Sequence, residues 1–130
     1  IVGLMNEDYF IDFVDTEWSL RCRSMGIPIK VIPTAIMKHA IGDKSIDLFF
    51  IRIFIHSPLR TYYKIRNSFL FARCIYVPFL LSLKEIVSAL IHNLLIIIFF
   101  SKNKKSYLKI YFQAIYHGLL GNKGKKYIKN

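Results

Sequence analysis

The stretch YFIDFVDTEWSLRCRSMG (residues 9–26) combines carboxylates with large apolar side chains. Asp12, Asp15 and Glu17 lie here, and with Glu7 and Asp8 they make up five of the eight acidic residues of the chain. We call residues 7–17 the acidic segment. Carboxylates are costly to bury unless they are paired, hydrogen-bonded or bound to a cation. The clustering of five acidic residues indicates that they cap a helix, form ion pairs or take part in catalysis.

A helix followed by two short strands is predicted around this stretch. Asp15 or Thr16 is suited to be the N-cap of a helix that runs to about Met25, where Gly26 stops it. Residues 29–33 (IKVIP) and 35–42 (AIMKHAIG) have the composition of strands. Two short strands do not form a stable independent sheet. We therefore expect an α/β fragment whose strands join a sheet formed by sequence outside this chain.

The remainder of the chain favours helices, so the whole is predicted to be mainly α. Residues 43–47 are a polar break, and residues 48–57 fit a strand or an extended loop. Pro58 precedes a predicted helix over 59–74, Pro78 precedes an apolar helix over 79–100, and a basic amphipathic helix follows. The expected division is a catalytic-domain part at 1–57, a closing helix at 58–78 and a membrane-associating tail at 79–130.

Composition and charge indicate an apolar and anionic environment for the second half. Hydrophobic residues form 54% of the chain and aromatic residues 15%, which is high for a soluble domain of 130 residues. Residues 1–47 carry five Lys or Arg against seven Asp or Glu, whereas residues 48–130 carry fourteen against Glu85 alone. This asymmetry predicts contact with lipid headgroups or with nucleic acid. The two cysteines have no metal-ligand or disulfide-framework spacing and fit a reducing compartment.

Two residues are candidates for chemistry, each with a structural alternative. An ionised Asp15 at the start of a helix can act as a general base, but Asp at this position is most often only a cap. His39 can ligate a metal, but a single histidine on a strand is more often packed or hydrogen-bonded. The spacing of these residues does not decide between the alternatives.

Two motifs resemble bacterial rhamnosyltransferases of the family 2 glycosyltransferases. The first has the form F-x-D-x-V-D-x-E-W-x-x-R over residues 10–21, followed by Gly26, His39 and Gly42. The second has the form H-S-P-x-R-x-Y-Y-x-x-R-N over residues 56–67. Together the two motifs extend the resemblance over roughly residues 3–78. Beyond residue 79 the chain is similar only in its apolar and then basic character.

The resemblance implies an inverting transferase with the GT-A fold, an α/β nucleotide-binding domain. Asp15 would be the base that takes the proton of the acceptor hydroxyl. Glu17 would contact the acceptor or orient the base. Asp12 would contact the acceptor, although the sequence also favours a salt bridge from Asp12 to Arg21 or Arg23. Arg66 and Asn67 would bind the donor diphosphate, unless Arg66 simply lies on a solvated face. A divalent metal, Mg²⁺ or Mn²⁺, would neutralise the diphosphate with His39 as a ligand.

The resemblance also implies partners and a location. They are a nucleotide-sugar donor such as dTDP-rhamnose, a saccharide or lipid-linked acceptor, and an anionic membrane surface at the cytoplasmic face of the bacterial inner membrane. The product would be a cell-surface polysaccharide. The sequence contains no D-x-D motif and begins at Ile1, so we expect an N-terminal nucleotide-binding half to be missing and the isolated chain to be inactive.

Two rival functions remain open from the sequence. The chain fits a non-catalytic, membrane-associated basic helical fragment, which would leave the two motif matches as coincidence. A nucleic-acid-binding module is permitted by charge and aromatic content, but the chain has no helix-turn-helix, zinc or RNA-recognition signature. We therefore expect no nucleic-acid partner.

Overall fold

A computed structural model describes residues 2–38, 44–48, 51–101 and 103–126. A short 3-10 helix at Glu7–Tyr9 precedes helix α1, Val14–Ser24. Strands β1, Lys44–Leu48, and β2, Ile51–Ile55, follow. The chain then forms three longer helices: α2 at Pro58–Phe71, α3 at Phe79–Phe99 and α4 at Lys104–Leu120.

Local signals explain where the later helices begin and end. The Ser57 hydroxyl accepts a hydrogen bond from the backbone N–H of Arg60 at 3.3 Å, and Pro58 occupies the first turn of α2, where its missing N–H costs nothing. Asn103 caps α4 in the same way through the N–H of Ser106. Gly121, with φ of 77°, ends α4 in the left-handed conformation that glycine adopts readily.

The predicted fold class, an α/β fragment with a helix and two short strands, is wrong. Residues 29–38 contain no strand, and residues 39–42 of the second predicted strand lie outside the described residues. Val31 and Ile36 are exposed, since no neighbouring strand covers them. The described part of the chain is built from four α-helices. Its strands β1 and β2 pair antiparallel with each other, from Lys44 opposite Ile55 to Leu48 opposite Ile51.

The core forms where α3 and α4 pack against α2. Tyr62, Tyr63 and Ile65 of α2 are buried against residues of α3 and α4 that include Ala89, Ile97, Ile110, Tyr111 and Ala114. Helices α2 and α4 approach closely because Gly118 faces Phe69, where an added Cβ would lie 2.7 Å from the ring. The predicted basic tail helix therefore packs against the segment that carries the second motif.

A second apolar cluster attaches the acidic segment to the end of α2. Tyr9, Leu70, Phe71 and Val77 are buried together, with Phe13, Val14 and Leu20 packed around them. The Phe13 and Phe71 rings lie 5.0 Å apart between centroids. The acidic segment is thus fixed on the same helix that holds the core.

Candidate functional site

Asn67 holds the backbone of the acidic segment. Its side chain is fully buried, and its Nδ2 donates to the carbonyl oxygens of Tyr9 at 2.9 Å, Ile11 at 2.6 Å and Asp12 at 3.2 Å. A loop that turns away from regular structure leaves its carbonyls without partners, and a buried carbonyl without a partner is costly. Asn67 therefore supplies from α2 the hydrogen bonds that this segment cannot make within itself.

Arg66 completes this arrangement from the neighbouring position. Its side chain is 1% exposed, and its Nε donates to Asn67 Oδ1 at 2.9 Å, which orients the amide. One terminal nitrogen donates to the carbonyls of Asp8 at 3.0 Å and Tyr9 at 3.1 Å, and the other to the carbonyl of Gly124 at 2.6 Å. We call Arg66 and Asn67 together the Arg-Asn clamp.

The clamp holds a backbone that is unfavourable on its own. Phe10, Asp12 and Phe13 have φ of 63°, 61° and 66°, a region that residues other than glycine rarely adopt. Such conformations persist where surrounding contacts determine them, and they cluster at functional sites. Phe13 in this conformation is the N-cap of α1. The prediction of Asp15 or Thr16 as the N-cap is wrong, because the helix begins at Val14.

Asp15 is exposed in the first turn of α1. The N–H groups and the dipole at this end of a helix favour a negative charge. In the part of the chain that the structure describes, its carboxylate forms no ion pair and accepts no hydrogen bond. Asp15 therefore has the accessibility that a general base requires, and its role as that base stays a prediction.

Glu17 lies on the opposite, buried side of the same turn. It is 1% exposed, and its Oε1 lies 3.1 Å from Nε of Arg21. The hydroxyl of Tyr76, from the turn after α2, donates to the same oxygen. Burial and the Glu17 hydrogen bond raise the pKa of Tyr76, so its hydroxyl keeps the proton that it donates. These contacts suit Glu17 to fixing α1 against the end of α2 rather than to binding an acceptor.

Asp12 pairs with Arg60 rather than with Arg21 or Arg23. Its Oδ1 lies 3.2 Å from a terminal nitrogen of Arg60 in the first turn of α2, so the predicted partners are wrong. The other carboxylate oxygen, Oδ2, is buried and has no hydrogen-bond partner among the described residues.

His56 is a buried histidine in the same neighbourhood. It is 6% exposed, its Nδ1 has no hydrogen-bond partner in the part of the chain that the structure describes, and its ring centroid lies 6.3 Å from that of His92. Burial lowers the pKa of His56 to about 4, with contributions from Lys64, Arg60 and His92 that outweigh the opposing effect of Asp12. His56 is therefore neutral at physiological pH.

A cleft of about 510 Å³ lies beside the acidic segment. This volume is within the range of small-molecule sites. Glu7 and Asp8 supply carboxylates, Phe10 an aromatic ring and Lys125 a cation. The full lining consists of Met5, Asn6, Glu7, Asp8, Phe10, Val14, Gly124 and Lys125.

One wall of this cleft comes from the far end of the chain. Residues 122–126, here called the C-terminal segment, return to the acidic segment after α4. The Gly124 N–H donates to the carbonyl of Asp8 at 2.7 Å, and Lys123 Nζ lies 2.9 Å from Asp8 Oδ2. The N–H of Lys126 donates to the Tyr63 hydroxyl at 2.7 Å. The prediction of a membrane-associating tail for this region did not include these contacts, although the glycines at 121 and 124 are a turn signal in the sequence.

The described residues do not fit a divalent metal. They contain no group of three or more His, Cys, Asp and Glu side chains able to hold one. Asp12 and Glu17 are already in ion pairs with arginines. The predicted ligand His39 lies outside the described residues, so its role as a metal ligand stays a prediction.

The Arg-Asn clamp gives a stability prediction. Arg66→Lys keeps the charge but loses the fork of donors that reaches three carbonyls, so it should lower the free energy of unfolding by about 3 kcal/mol. Arg23→Lys, at an exposed position of α1, should change it by less than about 0.5 kcal/mol. Urea unfolding followed by circular dichroism measures both. Equal stability of the two variants would show that the clamp does not hold the acidic segment.

His56 gives a pH prediction. The unfolded chain takes up the His56 proton near pH 6.5 and the folded chain only near pH 4, so folding stability should fall as pH drops through this window. The loss should reach about 3 kcal/mol at pH 4. In the His56→Gln variant, this fall in the free energy of unfolding between pH 6.5 and pH 4 should disappear. Urea unfolding at a series of pH values measures it for both proteins. Parallel slopes for both proteins would contradict the buried neutral histidine.

Comparison with known proteins gives one informative match. The chain is 52% identical over 124 residues to the dTDP-rhamnosyl transferase RfbF of Shigella flexneri. The aligned region covers 95% of this chain and 42% of that relative. No protein-family model matches the chain. No solved structure matches it. The chain is thus similar over nearly its whole length to a rhamnosyl transferase, and it spans about two fifths of that protein.

Proposed function

We propose that this chain is part of a rhamnosyltransferase that transfers rhamnose from dTDP-rhamnose to a saccharide or lipid-linked acceptor. The observation that carries the proposal is the 52% identity to a dTDP-rhamnosyl transferase over 95% of the chain. The reaction is proposed to invert the anomeric carbon, to use a family 2, GT-A catalytic domain, and to serve the synthesis of a cell-surface polysaccharide.

In this proposal Asp15 is the catalytic base. An inverting displacement needs a carboxylate to take the proton of the acceptor hydroxyl as its oxygen attacks the anomeric carbon and the diphosphate leaves. Asp15 is exposed at a helix start that stabilises its ionised form. The geometry around it supports the role, because the clamp and the Glu17–Arg21 pair fix the turn from which Asp15 projects.

Arg66 and Asn67 take a different role in the proposal from the one that the motif implied. The guanidinium is buried and donates to backbone carbonyls, so it would have to leave three carbonyls unpaired to reach a diphosphate. We therefore propose them as positioning residues. The donor site, the D-x-D motif and the remaining ligands of any Mg²⁺ or Mn²⁺ then belong to sequence outside this chain, and the isolated chain is expected to be inactive.

Replacement of Asp15 tests the catalytic proposal. When this chain replaces the matching part of the Shigella flexneri relative, the hybrid should transfer rhamnose from dTDP-rhamnose. Asp15→Asn should lower the rate by at least about 100-fold, since an amide cannot take the proton, while dTDP binding is retained. Glu85→Gln, an acid-to-amide change in α3, is the matched control. Unchanged transfer by Asp15→Asn would refute the assignment of the base.

We also propose that α3 contacts the cytoplasmic face of the bacterial inner membrane as a peripheral element. By length and composition, α3 is able to cross a membrane, and only 28% of its most apolar part is buried inside the fold. Phe79, Leu80 and Phe99 are at least 70% exposed. Exposed Lys104, Lys105 and Lys109 follow on α4, and lysines near an anionic surface contribute about 1 kcal/mol each.

Vesicle flotation tests the electrostatic part of this contact. The chain should float with vesicles that contain phosphatidylglycerol and much less with purely zwitterionic vesicles. The double substitution Lys104→Gln with Lys105→Gln should weaken flotation on the anionic vesicles roughly tenfold or more, because it removes about 2 kcal/mol of attraction. Equal recovery on both kinds of vesicle would show that charge does not contribute to membrane binding.

A further inference from the structure

We propose that the 510 Å³ cleft between the acidic segment and the C-terminal segment binds a second sugar unit of the acceptor. This inference rests on the proposed transferase function and adds to it the class of acceptor, an oligosaccharide rather than a single sugar. The unit in the cleft is one that does not react. Its binding positions the sugar whose hydroxyl faces Asp15.

The lining of the cleft has the chemistry that a sugar ring requires. A sugar presents hydroxyl donors at its edge and an apolar face of C–H groups. The carboxylates of Glu7 and Asp8 accept hydrogen bonds from hydroxyls. Phe10 is 44% exposed at the rim and contributes apolar surface to the cleft beside the Lys125 ammonium group. Apolar walls with a few convergent polar groups are typical of small-molecule sites.

The walls are fixed before any ligand binds. The Phe10 ring lies 5.0 Å from that of Tyr63, and Lys125 Nζ lies 5.3 Å from the Phe10 ring centroid. Gly124 is bonded on both sides, its N–H to Asp8 and its carbonyl to Arg66 at 2.6 Å. A preformed wall lowers the entropy that binding must overcome. The Arg-Asn clamp thus holds both sides of the cleft at once.

The cleft is continuous with the turn that carries the proposed base. Val14 lines the cleft and is the first residue of α1, directly before Asp15. A sugar in the cleft would lie next to the first turn of α1, the turn that also contains Asp15. Binding energy from such a remote unit can serve to orient the reacting hydroxyl.

Binding to the 130-residue chain tests the inference apart from catalysis. The chain is titrated with methyl glycosides of rhamnose, galactose and N-acetylglucosamine and with the matching disaccharides. Binding is followed by NMR through the backbone amide signals. At least one disaccharide should shift the signals of Phe10 and Gly124 and bind at least tenfold more tightly than its monosaccharide. Absence of shifts at the cleft, or equal affinity for both lengths, would overturn the proposal.

Variants assign the binding to the cleft. Glu7→Gln, at an exposed position, should lower disaccharide affinity at least fivefold without unfolding the chain, and Phe10→Leu should do the same. Glu85→Gln is the control and should leave the affinity unchanged. If disaccharide binds but the hybrid enzyme transfers no rhamnose, the proposed function fails and the saccharide site stands. If transfer depends on Asp15 while Glu7→Gln leaves disaccharide binding intact, the cleft proposal fails alone.

Discussion

The hydrogen bonds from Arg66 and Asn67 to the backbone of the acidic segment are the constraint on which the rest of the site depends. Three residues of that segment have positive φ, and each such conformation costs roughly 1–3 kcal/mol unless its surroundings determine it. The clamp supplies partners for the carbonyls of Asp8, Tyr9, Ile11 and Asp12. The start of α1, and with it the exposure of Asp15, follows from where this backbone is held.

Arg66 is unusual because it is buried with its bonds directed to neutral groups. Its contacts are carbonyl oxygens, the Asn67 amide and the rings of Tyr62 and Tyr63, which lie 5.7 and 4.7 Å from the guanidinium carbon. Carbonyl dipoles and aromatic faces together compensate for the lost hydration of the cation. A carboxylate partner would satisfy the charge but would occupy the space of the backbone that the arginine holds. Arg66 and Asn67, side by side on one helix, thus donate to the same backbone segment.

The sequence predicted the helices well because their end signals are local. Gly26 after α1, Pro58 at the start of α2 and Pro78 before α3 lie where the observed helices end or begin. The strand prediction was wrong over residues 29–38, because apolar β-branched residues indicate a strand only where a partner strand exists. Pairing of Lys44–Leu48 with Ile51–Ile55 was not foreseen, since residues 43–47 read as a polar break.

Much of the site depends on contacts between distant residues, which local patterns do not reveal. Arg66 matched a motif in sequence, but its burial depends on Gly124, 58 positions away. Asp12 pairs with Arg60, 48 positions away, whereas the sequence favoured the nearer Arg21 or Arg23. Similarly, the contact of residues 122–126 with Asp8 requires α4 to pack on α2, which local sequence patterns do not predict. The position of Asp15, by contrast, was predictable from sequence because only its place near the start of a helix was needed.

The most direct test is a crystal structure of the hybrid transferase with dTDP bound. Our account predicts that the Arg66 guanidinium stays about 3 Å from the carbonyl oxygens of Asp8 and Tyr9, with Asp15 open toward the donor. A guanidinium that has left these carbonyls to contact the diphosphate, with the acidic segment rearranged, would contradict it.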